Sequence, residues 1–227
     1  MAAILFIVAK IEQINFFYCI ASLKNKKYPV KRIKIVTLAT IRTLLCRIMK
    51  NIAVFCAASE AIDEKYVQEA RELGAFIGSK GCALVYGGAR AGLMEAVAAA
   101  AKSTGAHIIG VVPHILEQRN RVSGLIEEKI MVRDLSERKD VMIERSDILV
   151  ALPGGVGTLD EIFHTMAAAT IGFHTKRVVL YNAFGFWDSL LALLQQLSAD
   201  AFLRGSLSNY LVVANDLAEL EKLIDEA

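Results

Sequence analysis

The stretch Pro153-Gly154-Gly155-Val156-Gly157-Thr158-Leu159-Asp160-Glu161 sets three glycines within four residues ahead of two adjacent carboxylates. Glycines between a buried strand and a helix let several backbone N–H groups converge on one anion. No lysine follows them, so this is not a P-loop. A phosphate seated on Asp160 and Glu161 would be repelled. The spacing therefore assigns a phosphate to the glycine N–H groups and the carboxylates to an uncharged or cationic part of a ligand. The same T-x-x-E spacing is that of a capping box, in which Glu161 only satisfies a backbone donor. Spacing alone leaves both readings open.

Two further segments carry chemistry. The turn Tyr86-Gly87-Gly88-Ala89-Arg90-Ala91-Gly92-Leu93-Met94 is not GxGxxG, and no acid stands where a dinucleotide ribose needs one, so NAD is disfavoured. Gly87 and Gly88 permit close approach of backbone to a ligand, and Gly92 close packing of helix on sheet. The plainer reading is a simple strand-to-helix turn. In Asp134-Leu135-Ser136-Glu137-Arg138-Lys139-Asp140-Val141-Met142, Ser136 is the expected N-cap. Arg138 and Met142 are one turn apart, so Arg138 borders the sheet-facing side, where its guanidinium can meet phosphate or ribose oxygens. A solvated helix face with ion pairs is the alternative. His107, His114, His164 and His174 form no HxxxH or HExxH pair, which leaves a metal site without support.

These segments need a scaffold that brings loops together. Short apolar runs at 52–57, 82–86, 107–112, 148–152, 178–181 and 210–213 lack polar alternation, as parallel strands buried on both faces do. Helix-length segments at 62–79, 91–103, 136–146, 158–171, 186–197 and 217–227 lie between and after them. The alternation predicts an α/β, Rossmann-like, doubly wound and mostly parallel sheet with helices on both faces. Ser59, Gly87-Gly88, Pro113 and Pro153-Gly154-Gly155 all fall just past carboxyl ends of strands, where open α/β sheets bind ligands.

The 227 residues are 55% hydrophobic, enough for one substantial core. The net charge of +2 conceals an asymmetry. Residues 1–48 hold nine of the 26 basic residues and one of the 24 acidic ones, a net of +8. The remainder, with 17 basic and 23 acidic residues, is at −6, so the pI of 8.3 belongs to the N-terminal segment and is no argument for nucleic-acid binding by the domain. The apolar run at 2–9 is broken by Lys10 and Glu12, too short for a membrane span, and has no basic region before it to make a signal peptide. Residues 1–48 are read as a non-homologous extension or ill-assigned start, and 49–227 as one domain. Four cysteines without CxxC pairing point to a reducing compartment, the cytoplasm.

From Met49 onward the chain resembles the LONELY GUY family of nucleoside 5′-monophosphate phosphoribohydrolases, long mislabelled lysine decarboxylases. PGGxGTxxE is matched in full at residues 153–161, and the family's Arg-Lys pair by Arg138 and Lys139 with Met142 after it. Gly87, Gly88, Gly92, Leu93 and Met94 support the match. The first-strand loop, CGSS in the family, is Cys56-Ala57-Ala58-Ser59, with both middle residues changed and the last Ser kept as Ser59. The third Gly of GGG is Ala89, the Gly after Leu-Met is Glu95, and an acidic substrate contact is Asn120.

The resemblance implies cleavage of a purine nucleoside 5′-monophosphate, with adenine or N6-prenyladenine as base, to free base and ribose 5-phosphate. It implies a homodimer, no metal or organic cofactor, no nucleic acid and no membrane. It implies Arg138 and Glu161 as catalytic residues. Substrate contacts are expected at Ser59, Gly87, Gly88, Asn120, Arg138, Lys139, Gly154, Gly155, Val156, Gly157, Thr158, Leu159, Asp160 and Glu161. A nucleotide or cofactor carrier on the same scaffold is the alternative. A pyridoxal-phosphate decarboxylase is rejected, since neither Lys139 nor Lys176 has a Schiff-base setting.

Overall fold

The computed structural model describes residues 50–226, so the reading of residues 1–48 as an extension lies outside the described residues. The strand run after Met49 becomes β1 (Asn51–Phe55). Ile52 and Val54 face one side of the sheet, Ala53 and Phe55 the other, and all four are buried in apolar clusters. That explains the unbroken apolar run: a central parallel strand has no polar face.

The chain then runs through α1 (Glu64–Ser79), β2 (Ala83–Tyr86), α2 (Gly92–Ser103), β3 (His107–Pro113), the short α3 (His114–Gln118) and β4 (Glu128–Val132). It returns through α4 (Leu135–Glu144), β5 (Ile148–Ala151), α5 (Val156–Thr170), β6 (Val178–Tyr181), α6 (Asp188–Ala199), β7 (Leu211–Ala214) and α7 (Leu217–Glu226). The sheet order is β4-β3-β2-β1-β5-β6-β7 and every pairing is parallel. Strand order reverses between β1 and β5, with registers such as Val54 opposite Tyr86 and Val150. Loops leaving the carboxyl ends of β1 and β5 diverge there and open a crevice.

Helices α1, α2 and α7 cover one face through residues such as Leu73, Val97 and Ile224. Helices α4, α5 and α6 cover the other through Met142, Ile162 and Leu194. The predicted doubly wound sheet is present, with one strand more than expected. β4, with sequence EKIMV, carries Glu128 and Lys129 and is mostly half-buried. Charge on this edge strand deters pairing with another chain and hides it from a search for apolar runs. Among the described residues no helix is long and apolar enough to cross a membrane.

Candidate active site

Three loops meet above the crevice. The Ala57 N–H donates to the Pro153 carbonyl at 3.3 Å, joining the β1 and β5 loops, and the Leu93 N–H donates to the Ala57 carbonyl at 3.0 Å, joining the β2 loop to them. Gly92 makes the second junction possible. Its φ is +52°, and a Cβ there would lie 2.3 Å from the Ser59 carbonyl oxygen. The close approach expected between helix and sheet is instead between α2 and the β1 loop.

Helix α4 is capped by Asp134, whose Oδ1 accepts from the N–H groups of Ser136 and Glu137, both at 2.9 Å. Ser136, expected as the cap, is the second residue of the helix. Asp134 wins because its carboxylate also complements the positive end of the helix dipole. This start places Arg138 and Lys139 toward α5. Arg138 Nη2 donates to Glu161 Oε1 at 2.5 Å, and Lys139 Nζ donates to both carboxylate oxygens of Asp160 at 2.7 Å. Consecutive residues of α4 thus grip consecutive residues of α5.

The capping box does not form. The N-cap of α5 is Gly155, no side chain caps the helix, and its first turn has no acid. Thr158 is the third helical residue and Glu161 the sixth, in the second turn. Its carboxylate faces Arg138, and the expected repulsion between phosphate and carboxylate is removed by distance along the helix. The N–H groups of Val156, Gly157 and Thr158 have no intrahelical acceptor, and Gly155, Val156 and Gly157 are exposed. Gly154 is held against the helix, where a Cβ would strike Thr158 Oγ1.

The Glu161 side chain is 2% exposed and that of Arg138 11%. Burial raises the Glu161 carboxyl from its usual 4.5 to about 7, with the Arg138 charge and hydrogen bond opposing the rise. Arg138 Nε is buried without a hydrogen-bond partner among the described residues, a donor available to a ligand oxygen. A Cβ on Gly87 would lie 3.0 Å from Arg138 Nη1 and 3.4 Å from Met94 Cε. The space beside Gly87, expected to admit a ligand, admits the guanidinium. Cys56, at the end of β1, is buried near this pair, and burial together with the Glu161 charge pushes its thiol up. Sequence reasoning passed over Cys56 as a site residue; its signals are its place just past β1 and its match to the first residue of the CGSS loop.

Two expected contacts stay on the rim. Ser59 is exposed, with Oγ accepting from the Ala61 N–H at 3.4 Å. Asn120 is exposed at φ 53° and ends α3. Neither is a hydrogen-bond partner of Arg138 or Glu161. Among the described residues no group of three or more His, Cys, Asp or Glu could hold a metal ion. The geometry is a buried carboxylate and guanidinium, with a separate set of unpaired N–H groups one helical turn away.

A family model described as "Possible lysine decarboxylase" matches residues 94–224. A "Probable cytokinin riboside 5'-monophosphate phosphoribohydrolase" of Oryza sativa subsp. japonica is 38% identical over 177 residues, covering 78% of this chain and 78% of that one. The cytokinin riboside 5'-monophosphate phosphoribohydrolase of Mycobacterium tuberculosis is 37% identical over 169 residues, covering 74% of this chain and 90% of that one. Among solved structures, the molybdenum cofactor carrier protein of Chlamydomonas reinhardtii aligns with a TM-score of 0.59 and 26% identity, over 78% of this chain and 97% of that one.

Proposed function

The chain belongs to the LONELY GUY family, and from that premise we propose that it hydrolyses the N-glycosidic bond of a purine nucleoside 5′-monophosphate bearing adenine or N6-prenyladenine. The observation that carries the reading is the buried Glu161 carboxylate clasped by Arg138, one turn from the unpaired N–H groups opening α5. The phosphate dianion sits on the N–H groups of residues 155–158, which places the ribose over Glu161. As the C1′–N9 bond breaks, its electron pair leaves with the base and positive charge grows on the sugar. The Glu161 carboxylate stabilises that charge and orients the water whose oxygen bonds to C1′. The proton released by the water ends on the base, giving free base and ribose 5-phosphate. Arg138 holds Glu161 in place, and its free Nε–H fixes a ribose phosphate oxygen or assists the leaving base. The reaction as written needs neither metal nor organic cofactor.

A second copy of the chain fits the outer face of α5, where Val156 and Phe163 are 84% and 40% exposed, with Ile171 at 65% and Phe173 at 79% just beyond its end. Apolar side chains contiguous along one helix are the usual mark of an interface. A homodimer through this face, in the cytoplasm, completes the reading.

The likeness to a molybdenum cofactor carrier favours a second reading, a non-catalytic nucleotide or cofactor carrier. One assay separates the two. The purified protein, incubated with AMP and with isopentenyladenosine monophosphate, is expected to release free base from at least one, and to leave adenosine, which lacks the phosphate, almost untouched. Nucleotide binding without release of base makes it a carrier.

A further inference from the structure

The loop after β2 and the segment after α3 are stitched together. The Arg90 N–H donates to the Arg121 carbonyl at 2.8 Å, the Ser123 N–H donates to the Gly88 carbonyl at 2.9 Å, and Ala89 bridges Val122 antiparallel. Asn120 turns the chain through left-handed φ, a conformation asparagine tolerates better than most residues. The stitching gathers Arg90, Arg119 and Arg121 on one rim, all three exposed. Among the described residues Arg90 Nη2 reaches only the Asn120 carbonyl, at 3.4 Å.

None of the three arginines has an ion-pair partner among the described residues, and the reason is visible. The acids flanking Arg119 and Arg121 are engaged elsewhere, Glu117 with Lys129 at 2.6 Å, Glu127 with His107 at 2.8 Å and Glu128 with Arg145 at 2.5 Å. Glu95, the acid that follows Arg90, pairs with no arginine among the described residues. The domain as a whole carries an excess of acids, so three uncompensated guanidiniums form a local reversal of charge. Such a patch draws anions and, with planar donor forks, holds carboxylate or phosphate.

The rim stands in line with the site. Phosphate on the N–H groups past β5 and ribose over Arg138 beside Gly87 define a direction across the strand ends, β5 to β1 to β2. Continued, it leads to the β3 side. At about 4.8 Å per strand, β3 is about 14 Å from β5, a span comparable to that from a nucleotide's 5′-phosphate to a substituent on the exocyclic amine of its base. Arg90 is three residues from Gly87, hence within about 11 Å of it along the chain.

We propose that Arg90, Arg119 and Arg121 form a subsite for an anionic substituent on the base, so that the chain takes nucleoside monophosphates carrying a carboxylate or phosphate at the exocyclic amine besides bare or prenylated ones. The proposal rests on the hydrolase reading for its direction across the strands. The test uses the full chain and three probes: AMP, isopentenyladenosine monophosphate and N6-dicarboxyethyl-AMP. Base release from N6-dicarboxyethyl-AMP is expected to exceed that from AMP by about tenfold in kcat/KM, the worth of one to two charge-assisted contacts at an exposed site. The advantage shrinks as salt is raised. It disappears in the Arg90→Ala, Arg119→Ala, Arg121→Ala triple variant and is reduced in Arg121→Gln, while turnover of AMP holds in both. No advantage for the anionic probe, or equal slowing of all three probes by the triple variant, overturns the subsite. If no probe is cleaved, the hydrolase reading fails by itself, and calorimetry decides the rim: tighter binding of N6-dicarboxyethyl-AMP than of AMP, lost in the triple variant, upholds it, and equal binding refutes it.

Discussion

Glu161 is the residue on which the chemistry turns, and its surroundings make its ionisation measurable. Burial favours the neutral acid and the Arg138 guanidinium favours the anion; burial dominates, leaving the carboxyl at about 7 against an ordinary 4.5. The folded protein therefore keeps a proton that the unfolded chain loses between those two values. Stability contributed by this proton is full below pH 4.5 and is lost as pH rises through about 7. Activity runs the other way, because the charged form is the one that stabilises the sugar cation. In the wild type, kcat/KM is expected to rise with pH through about 7 and then level off. Glu161→Gln keeps the side chain's size and an acceptor oxygen but has no charge to ionise. Its kcat should fall by about 10²-fold or more, the rise near pH 7 should vanish, and nucleotide should still bind through the α5 N–H groups. Because Glu161 lies in the second turn and caps nothing, no loss of helix capping confuses the result. A Glu161→Gln protein with wild-type turnover and an intact pH profile removes the carboxylate from the mechanism.

At the scale of elements, the site is a joint between α4 and α5 made of two ion pairs side by side. Lys139 has a side chain only 9% exposed and both of its neighbouring acceptors on Asp160, whereas Asp160 is 49% exposed. Lys139→Met leaves Asp160 without its cation and next to Glu161, where the Asp160 charge already raises the Glu161 carboxyl and that of Lys139 lowers it. The rise of kcat/KM with pH should move above the wild-type position in Lys139→Met and return toward it in Lys139→Met with Asp160→Asn. Because one partner is half in water, the coupling between the two substitutions should be about 1–2 kcal/mol by thermal or denaturant unfolding, well below that of a fully buried pair. A Lys139→Met defect in nucleotide binding that Asp160→Asn does not relieve returns Lys139 to the substrate. None of this joint was legible in the sequence. The apolar runs gave the central strands and the glycine clusters gave the loops, because burial on both faces and tight turns each demand particular residue types at adjacent positions. Pairing across 21 to 23 residues demands nothing local. The same limit hid the start of α4, where Asp134 and Ser136 are both good caps and only the tertiary path of the chain selects one. It hid the shift in α5 as well: Gly155 begins the helix three residues earlier than the T-x-x-E spacing suggests, which turns a capping residue into a buried one. β4 was missed for the opposite reason, since Glu128 and Lys129 interrupt its apolar pattern.

On the scale of the whole molecule, charge is distributed unequally along the chain. Residues 1–48 bring nine basic residues and a single acid, while the seven strands and two apolar clusters of the described residues, with every residue of the candidate site, belong to residues 50–226. The strand β1 at the centre of the sheet begins at Asn51 and is held on both sides, by β2 and β5. Its pairing is complete without any residue before Lys50, whose own Nζ donates to the Ile224 carbonyl of α7 at 3.1 Å. A protein begun at Met49 should therefore fold with the melting temperature of the full chain, since the area that stabilises a domain is the area it buries. It should cleave the same nucleotides with unchanged kcat/KM, because no group assigned to phosphate, ribose or base has been removed. It should differ in net charge alone, passing from +2 to −6 and to an acidic isoelectric point in place of 8.3. The comparison is made by thermal unfolding, light scattering for the dimer and base release for the chemistry, on both lengths in one buffer at moderate salt. A shortened protein that is insoluble, monomeric where the full chain is dimeric, or inactive shows that residues 1–48 take part in folding, assembly or the site, and the reading of them as an extension is then wrong.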